Sequence, residues 1–143
     1  MIQMNTKDLN GKKIYNRVMI IDDTPTDRYI ATENIKRYSF SQEVIEMDSA
    51  EEALEYLESM VNTPDDLPEL IFLDIRMPEM DGFGFLERYG QLPELVQNNC
   101  IIMMLSTSLN SDDHKRAEDN RFVKRFLQKP LTRSQLAELE KAA

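Results

Sequence analysis

Asp22 and Asp23, Asp74, Ser106 and Lys129 are the residues that could do chemistry together, because each stands where an apolar run stops. Val18-Met19-Ile20-Ile21 runs into Asp22-Asp23, and Leu70-Ile71-Phe72-Leu73 runs into Asp74. Ile101 to Leu105 runs into Ser106-Thr107, and Phe126-Leu127 into Gln128-Lys129-Pro130. If these runs are parallel strands of one sheet, three carboxylates, a hydroxyl and an ammonium gather at its carboxyl edge. That is the edge at which open α/β sheets bind ligands. Clustered acids repel, by roughly 4 kcal/mol for two unit charges about 4 Å apart at an effective dielectric near 20, so the cluster calls for a neutralising cation. Mg²⁺ is the natural choice, a hard ion that takes oxygen ligands and prefers one or two carboxylates plus a phosphate. One histidine and one cysteine in the whole chain disfavour zinc and other soft-ligand metals.

A carboxylate ending a central strand can attack phosphorus and form an aspartyl phosphate. Phosphoryl transfer then asks for positioning and charge neutralisation more than for covalent help. The residue types suit that division of labour. Asp22 and Asp23 would hold the metal, Asp74 would be the nucleophile, Lys129 would meet a phosphoryl oxygen as a point charge, and Ser106 would donate to another. Singly, each has a plainer account: Asp-Asp is a common turn, Ser106-Thr107-Ser108 a polar loop, Lys129-Pro130 a loop start. Four coincidences after four separate runs outweigh those accounts.

The elements that must position these residues follow from the pattern. Strands are expected at Arg17 to Asp22, Val44 to Met47, Leu70 to Asp74, Ile101 to Leu105 and Phe122 to Leu127. The uninterrupted first run suits a strand covered on both faces, whereas Glu46 marks an edge strand. Thr24-Pro25 opens a first helix with Thr24 as N-cap and Ile30, Ala31, Ile35 and Tyr38 facing inward. Ser49-Ala50-Glu51-Glu52 and Thr132-Arg133-Ser134-Gln135 are capping boxes, the second opening a helix to the end of the chain. Asp81-Gly82 begins another helix. Gly90 to Asn99, holding Pro93, reads as a long connection. Ser111-Asp112-Asp113 caps a fourth helix, and Asn120 supplies its left-handed end. This βα alternation, five times over, implies a parallel sheet with helices on both faces and right-handed crossovers.

With 143 residues, one domain can bury a proper core. Residues 1–15 are polar and read as a loose extension, leaving 16–143 as the domain. Cys100 has no partner for a bridge and suits buried packing in a reducing compartment. No apolar stretch reaches the length of a membrane span and the N-terminus lacks a signal-peptide core, so the expected location is the cytoplasm, with no membrane partner. A net charge of -9 repels nucleic acid unless basic residues are segregated. Lys12-Lys13 with Arg17, and Arg121 to Arg125, are the candidates, and both read as solvated charge. His114, on the fourth helix, reads as a solvated histidine.

The combination Ile21-Asp22-Asp23, Asp27-Arg28, Leu73-Asp74-Ile75-Arg76-Met77-Pro78-Glu79-Met80-Asp81-Gly82, Leu105-Ser106-Thr107 and Phe126-Leu127-Gln128-Lys129-Pro130 resembles the receiver domain of two-component response regulators. The match covers about Arg17 to Ala143. It implies a flavodoxin-like, doubly wound sheet of five parallel strands, order 2-1-3-4-5, with five helices. It implies phosphoryl transfer to Asp74 from a phosphohistidine on a sensor histidine kinase or histidine phosphotransfer protein. Mg²⁺ would be held by Asp22, Asp23, Asp74 and the Arg76 backbone carbonyl. Ser106 would be the switch hydroxyl, Lys129 the phosphate-binding lysine, Phe126 the aromatic switch residue, and Lys129-Pro130 a cis bond. Arg76 and Ser108 would modulate the lifetime of the phosphoryl group.

On that reading the chain is a stand-alone receiver that signals to a downstream protein and catalyses only its own phosphorylation and dephosphorylation. A relay, a phosphate sink and a degenerate docking module are the alternatives within the family. A haloacid-dehalogenase-like phosphatase would need an acid where Arg76 stands. A flavodoxin-like electron carrier would need a Ser/Thr-Gly-rich phosphate loop after the first strand, and none is present.

Overall fold

The structure is a computed structural model that describes residues 6–7, 13–108 and 110–142. Alternation of side chains along the first strand, β1 (Lys13–Ile21), organises the whole molecule. Val18 and Ile20 enter one apolar cluster while Met19 and Ile21 enter another, the period of two that a strand buried on both faces must show. β2 (Ser41–Met47), β3 (Leu70–Leu73), β4 (Ile101–Ser106) and β5 (Val123–Gln128) complete a parallel sheet in the order β2-β1-β3-β4-β5. This is the expected 2-1-3-4-5 order. Thr6–Lys7 adds a two-residue antiparallel pairing to Lys13 and Ile14.

Six α-helices occur among the described residues: α1 (Pro25–Arg37), α2 (Ala50–Ser59), α3 (Gly82–Tyr89), α4 (Glu94–Asn99), α5 (Ser111–Asp119) and α6 (Arg133–Ala142). Ala31 and Ile35 of α1 and Leu136 and Leu139 of α6 cover one face of the sheet. Leu54, Leu57, Phe85, Tyr89, Val96 and Ala117, from α2 to α5, cover the other. Each such fully buried leucine or phenylalanine is worth about 1.5–3 kcal/mol relative to exposure.

Several local expectations are corrected. β1 begins at Lys13 rather than Arg17, and Tyr15 is buried against Phe40, ring centroids 4.9 Å apart. Of the proposed extension, residues 1–5 and 8–12 lie outside the described residues. β2 starts at Ser41, three residues early, and is an edge strand as Glu46 suggested. A sixth helix, α4, occupies part of the expected connection before β4. Ile30 is 37% exposed rather than inward; Thr32 is buried in its place. α5 is capped by Asn110, whose side chain accepts from the backbone N–H groups of Asp112 and Asp113, and not by Ser111. Asn120 is extended, with φ -80°, rather than left-handed; its side chain accepts from the Phe122 N–H at 2.9 Å. Thr24 flanks α1 without making a side-chain cap, whereas both capping boxes place Ser49 and Thr132 as acceptors of a backbone N–H.

Candidate functional site

The register of the three inner strands brings the acids together. Ile21 pairs with Leu73, and Leu73 with Met104. Asp22, Asp74 and Ser106 therefore leave adjacent strands at one rim. The Asp74 N–H donates to the Ile21 carbonyl and the Asp22 N–H to that of Met47, each at 3.0 Å, which extends the ladder by one residue and fixes both carboxylates. Gly82, at the start of α3, packs so closely that a Cβ there would lie 2.5 Å from the Asp74 carbonyl oxygen. Any side chain would push α3 off the rim. The Asp81 side chain caps this helix, accepting from the Gly84 N–H at 2.9 Å.

Asp22, Asp23 and Asp74 each place one carboxylate oxygen within 4.8 Å of the others. Asp22 and Asp74 are buried and Asp23 is half-buried. Lys129 enters from the end of β5, its side chain 8% exposed. Its Nζ lies 2.6 Å from Asp22, 2.9 Å from Asp27 and 3.4 Å from Asp74. The Lys129 N–H donates to the Ser106 carbonyl at 2.9 Å, and the Lys129-Pro130 bond is cis, as the resemblance implied. Burial pushes the Asp74 carboxyl up to about 6, helped by the neighbouring Asp22 charge and opposed by Lys129. Burial alone would lower Lys129, but its hydrogen bonds to Asp22 and Asp27 and the nearby Asp74 charge outweigh that and raise it.

One ammonium against four carboxylates leaves a surplus of negative charge at the rim. Both Asp22 oxygens already have partners, since Oδ1 accepts from the Thr24 N–H at 2.9 Å and Oδ2 meets Lys129. Asp23 instead lines an open crevice of about 380 Å³ with Arg76, Met77, Pro78 and Asp81. Hard oxygen donors, excess negative charge and access from solvent fit a divalent cation such as Mg²⁺.

The remaining predicted residues surround this rim. Ser106 is buried at the end of β4, and its Oγ accepts from the Ser108 N–H at 3.1 Å. Arg76 is on the loop after β3; its guanidinium pairs with Asp113 of α5. Ser108 Oγ donates to the same Asp113 oxygen at 2.9 Å. Phe126 is half-buried on β5, beside Met104 in register.

Sequence reasoning missed three residues here. Asp27 is a direct partner of Lys129, 102 positions away; its place in the Asp27-Arg28 pair was the available signal. Asp113 is 5% exposed, which its apparent role as a first-turn acid did not suggest. His114 is not a solvated histidine: its ring lies on Phe126 with centroids 4.0 Å apart, and Nε2 is 2.9 Å from the Ser108 carbonyl. Arg17 pairs with Glu43, Arg121 lies over the Phe122 ring, and Lys12 is outside the described residues.

The response regulator receiver domain model matches residues 18–140. The chain belongs to this family. Similar solved structures include a response regulator receiver protein from Dyadobacter fermentans, 31% identical with TM-score 0.78, covering 88% of this chain and 95% of that one. A two-component response regulator from Cytophaga hutchinsonii is 26% identical with TM-score 0.82, over 90% and 96% of the two chains. The receiver domain of the histidine kinase CKI1 from Arabidopsis thaliana, solved complexed with Mg²⁺, is 25% identical with TM-score 0.73, over 89% and 90%. This receiver spans only part of several curated relatives that it matches, 12% of one and 58% of another. No helix among the described residues is long and apolar enough to cross a membrane.

Proposed function

We propose that this receiver accepts a phosphoryl group on Asp74 from the phosphohistidine of a sensor kinase or phosphotransfer protein, and signals through protein contacts that depend on it. The observation that carries this reading is the triad of Asp22, Asp23 and Asp74 with Lys129 inserted among the carboxylates. Asp74 Oδ attacks phosphorus as the bond to the donor nitrogen breaks, and the imidazole keeps the electron pair and takes up a proton. Asp23, Asp74 and the Arg76 carbonyl would hold Mg²⁺, with Asp22 beside them; the CKI1 receiver was solved with the same ion. Bound there, the ion neutralises charge on the acids and on the incoming phosphoryl oxygens.

Lys129 and the Ser106 hydroxyl meet the two sides of the transferred group, Lys129 by exchanging part of its hold on Asp22 and Asp27. Ser106 gives up the Ser108 N–H when it turns toward the phosphoryl group. That motion leaves space beneath β4, and Phe126, half-buried and packed on His114, turns inward to fill it. The face of α5, β5 and α6 changes shape, and a downstream protein reads it. Arg76 and Ser108 set how long the group survives. The protein works in the cytoplasm and catalyses its own phosphorylation and dephosphorylation only. The intact acid set favours a working acceptor over a degenerate docking module.

Incubation with Mg²⁺ and a small phosphodonor, followed by intact mass, tests the reading. A gain of one phosphoryl group, lost with chelator and lost in Asp74→Asn, is expected. No gain in the wild-type protein overturns it.

A further inference from the structure

Two residues flank the site at equal spacing: Arg76 stands two places after Asp74, and Ser108 two places after Ser106. Both end on one oxygen. Asp113 Oδ2 takes the Arg76 guanidinium and, at 2.9 Å, the Ser108 hydroxyl. The two partners come from different loops, after β3 and after β4, and the shared acceptor sits in the first turn of α5. Asp113 is buried while the Arg76 side chain is 63% exposed, so a long cation from the surface is pinned by a carboxylate with little freedom. Arg76 also lines the crevice into which Asp23 opens. The pairing therefore ties a residue that lines this crevice to the loop that follows Ser106.

A buried carboxylate must be paired, and a first-turn acid also complements the helix dipole. Those reasons account for a partner, but a nearer cation on α5 itself would serve them. They do not require a partner from the phosphoacceptor loop and a second from the loop behind the switch hydroxyl. We propose that Asp113 is a positioning residue: it holds Arg76 and Ser108 across the mouth of the site and so prolongs the life of a phosphoryl group on Asp74.

The inference rests on Asp74 being the phosphoryl acceptor. Loss of the group is hydrolysis: water attacks phosphorus, the phosphorus–oxygen bond to Asp74 breaks, the carboxylate is restored and inorganic phosphate leaves with the proton. Attack needs water in line with that bond. The Arg76 guanidinium, fixed to Asp113, stands beside the crevice through which water would come; Ser108 helps to hold that Asp113 oxygen, and releasing the pair opens the approach.

The test uses the whole chain, phosphorylated with a small phosphodonor and Mg²⁺, then freed of donor and followed by intact mass. Asp113→Asn keeps shape and removes the charge. It is expected to speed loss of the phosphoryl group roughly three- to tenfold, within the range of one ordinary net hydrogen bond. Arg76→Ala is expected to do the same, and the double variant to decay no faster than either single one. Ser108→Ala gives a smaller acceleration. In Asp113→Asn the extent of phosphorylation and the Mg²⁺ concentration at half-saturation stay at wild-type values, which a merely structural loss in α5 would disturb. Asp113→Glu, restoring the charge, brings the decay back toward wild type. Unchanged decay in Asp113→Asn, or effects that multiply in the double variant, overturns the proposal. Failure of the wild-type protein to take any phosphoryl group would instead remove the acceptor reading itself.

Discussion

β3 and β5 both deliver a charged residue to the same rim, yet they are opposite kinds of strand. β3 is flanked on both edges, and Leu70, Ile71, Phe72 and Leu73 are all at most 1% exposed. β5 pairs only with β4 among the described residues, exposes Lys124 and Arg125, and buries only Leu127. The strand that carries Asp74 is thus held from every side. The strand that carries Phe126 and leads to Lys129 has one free edge and half-packed side chains. The proposed function would draw on that contrast, since phosphoryl transfer to Asp74 asks for a rigidly held carboxylate and signalling through Phe126 asks for a surface with more than one low-energy packing.

The largest expected effects fall where that contrast is put at risk by charge or volume. Lys129→Ala leaves Asp22, Asp27 and Asp74 without their shared cation. Breaking a buried pair by removing one member costs about 3–5 kcal/mol, so chemical denaturation in chelator should show a loss of that order. Saturating Mg²⁺ should restore part of it. A loss that Mg²⁺ leaves unchanged would mean that the carboxylates are not its ligands.

Packing supplies the next comparison. Phe72→Ala empties a site closed on both faces and should cost about 3–5 kcal/mol. Phe126→Ala should cost less than half as much in the same denaturation experiment, because its ring is only half-buried. It should, however, abolish the difference in target binding between phosphorylated and unphosphorylated protein. Equal losses at the two positions would erase the distinction between the strands.

A smaller effect has the opposite sign. Asp74 is raised to about 6 by burial first and by Asp22 second, above the ordinary carboxylate value of about 3.9. The folded site then binds a proton that the unfolded chain releases, so metal-free stability falls as pH rises from about 4 to about 6. Above that window the ionised Asp74 is a burden, and Asp74→Asn should gain about 1–3 kcal/mol at pH 7 in chelator. The gain should shrink below pH 4 and in the presence of Mg²⁺. A destabilised Asp74→Asn protein at pH 7 would contradict the assigned environment.

Most of the site was legible because its members follow apolar runs, and a run that ends in a charged residue survives in any single sequence. Strand order and the cis bond at Lys129-Pro130 came only with the family likeness. What stayed hidden depends on tertiary contacts. Tyr15 belongs to β1 because Phe40 packs on it, and nothing near Tyr15 in the chain announces that. α4 has six residues, too few for a helical period to emerge, although Pro93 before Glu94 marks its start. Asp113 and His114 looked like the polar first turn of a surface helix, a pattern satisfied equally by solvent and by Arg76, Ser108 and Phe126. Glu79 adopts φ 68°, a left-handed conformation rare for a residue with a side chain, and its sequence position gives no sign of it.

The most direct test of the central claim is to locate the modified side chain. Borohydride reduction of the phosphorylated protein converts an aspartyl phosphate to homoserine, and peptide mass spectrometry places it. Homoserine at position 74, and at neither 22 nor 23, is the predicted result. Reduction at another acid, or stable phosphate on Ser106 with Asp74 unchanged, would contradict the account.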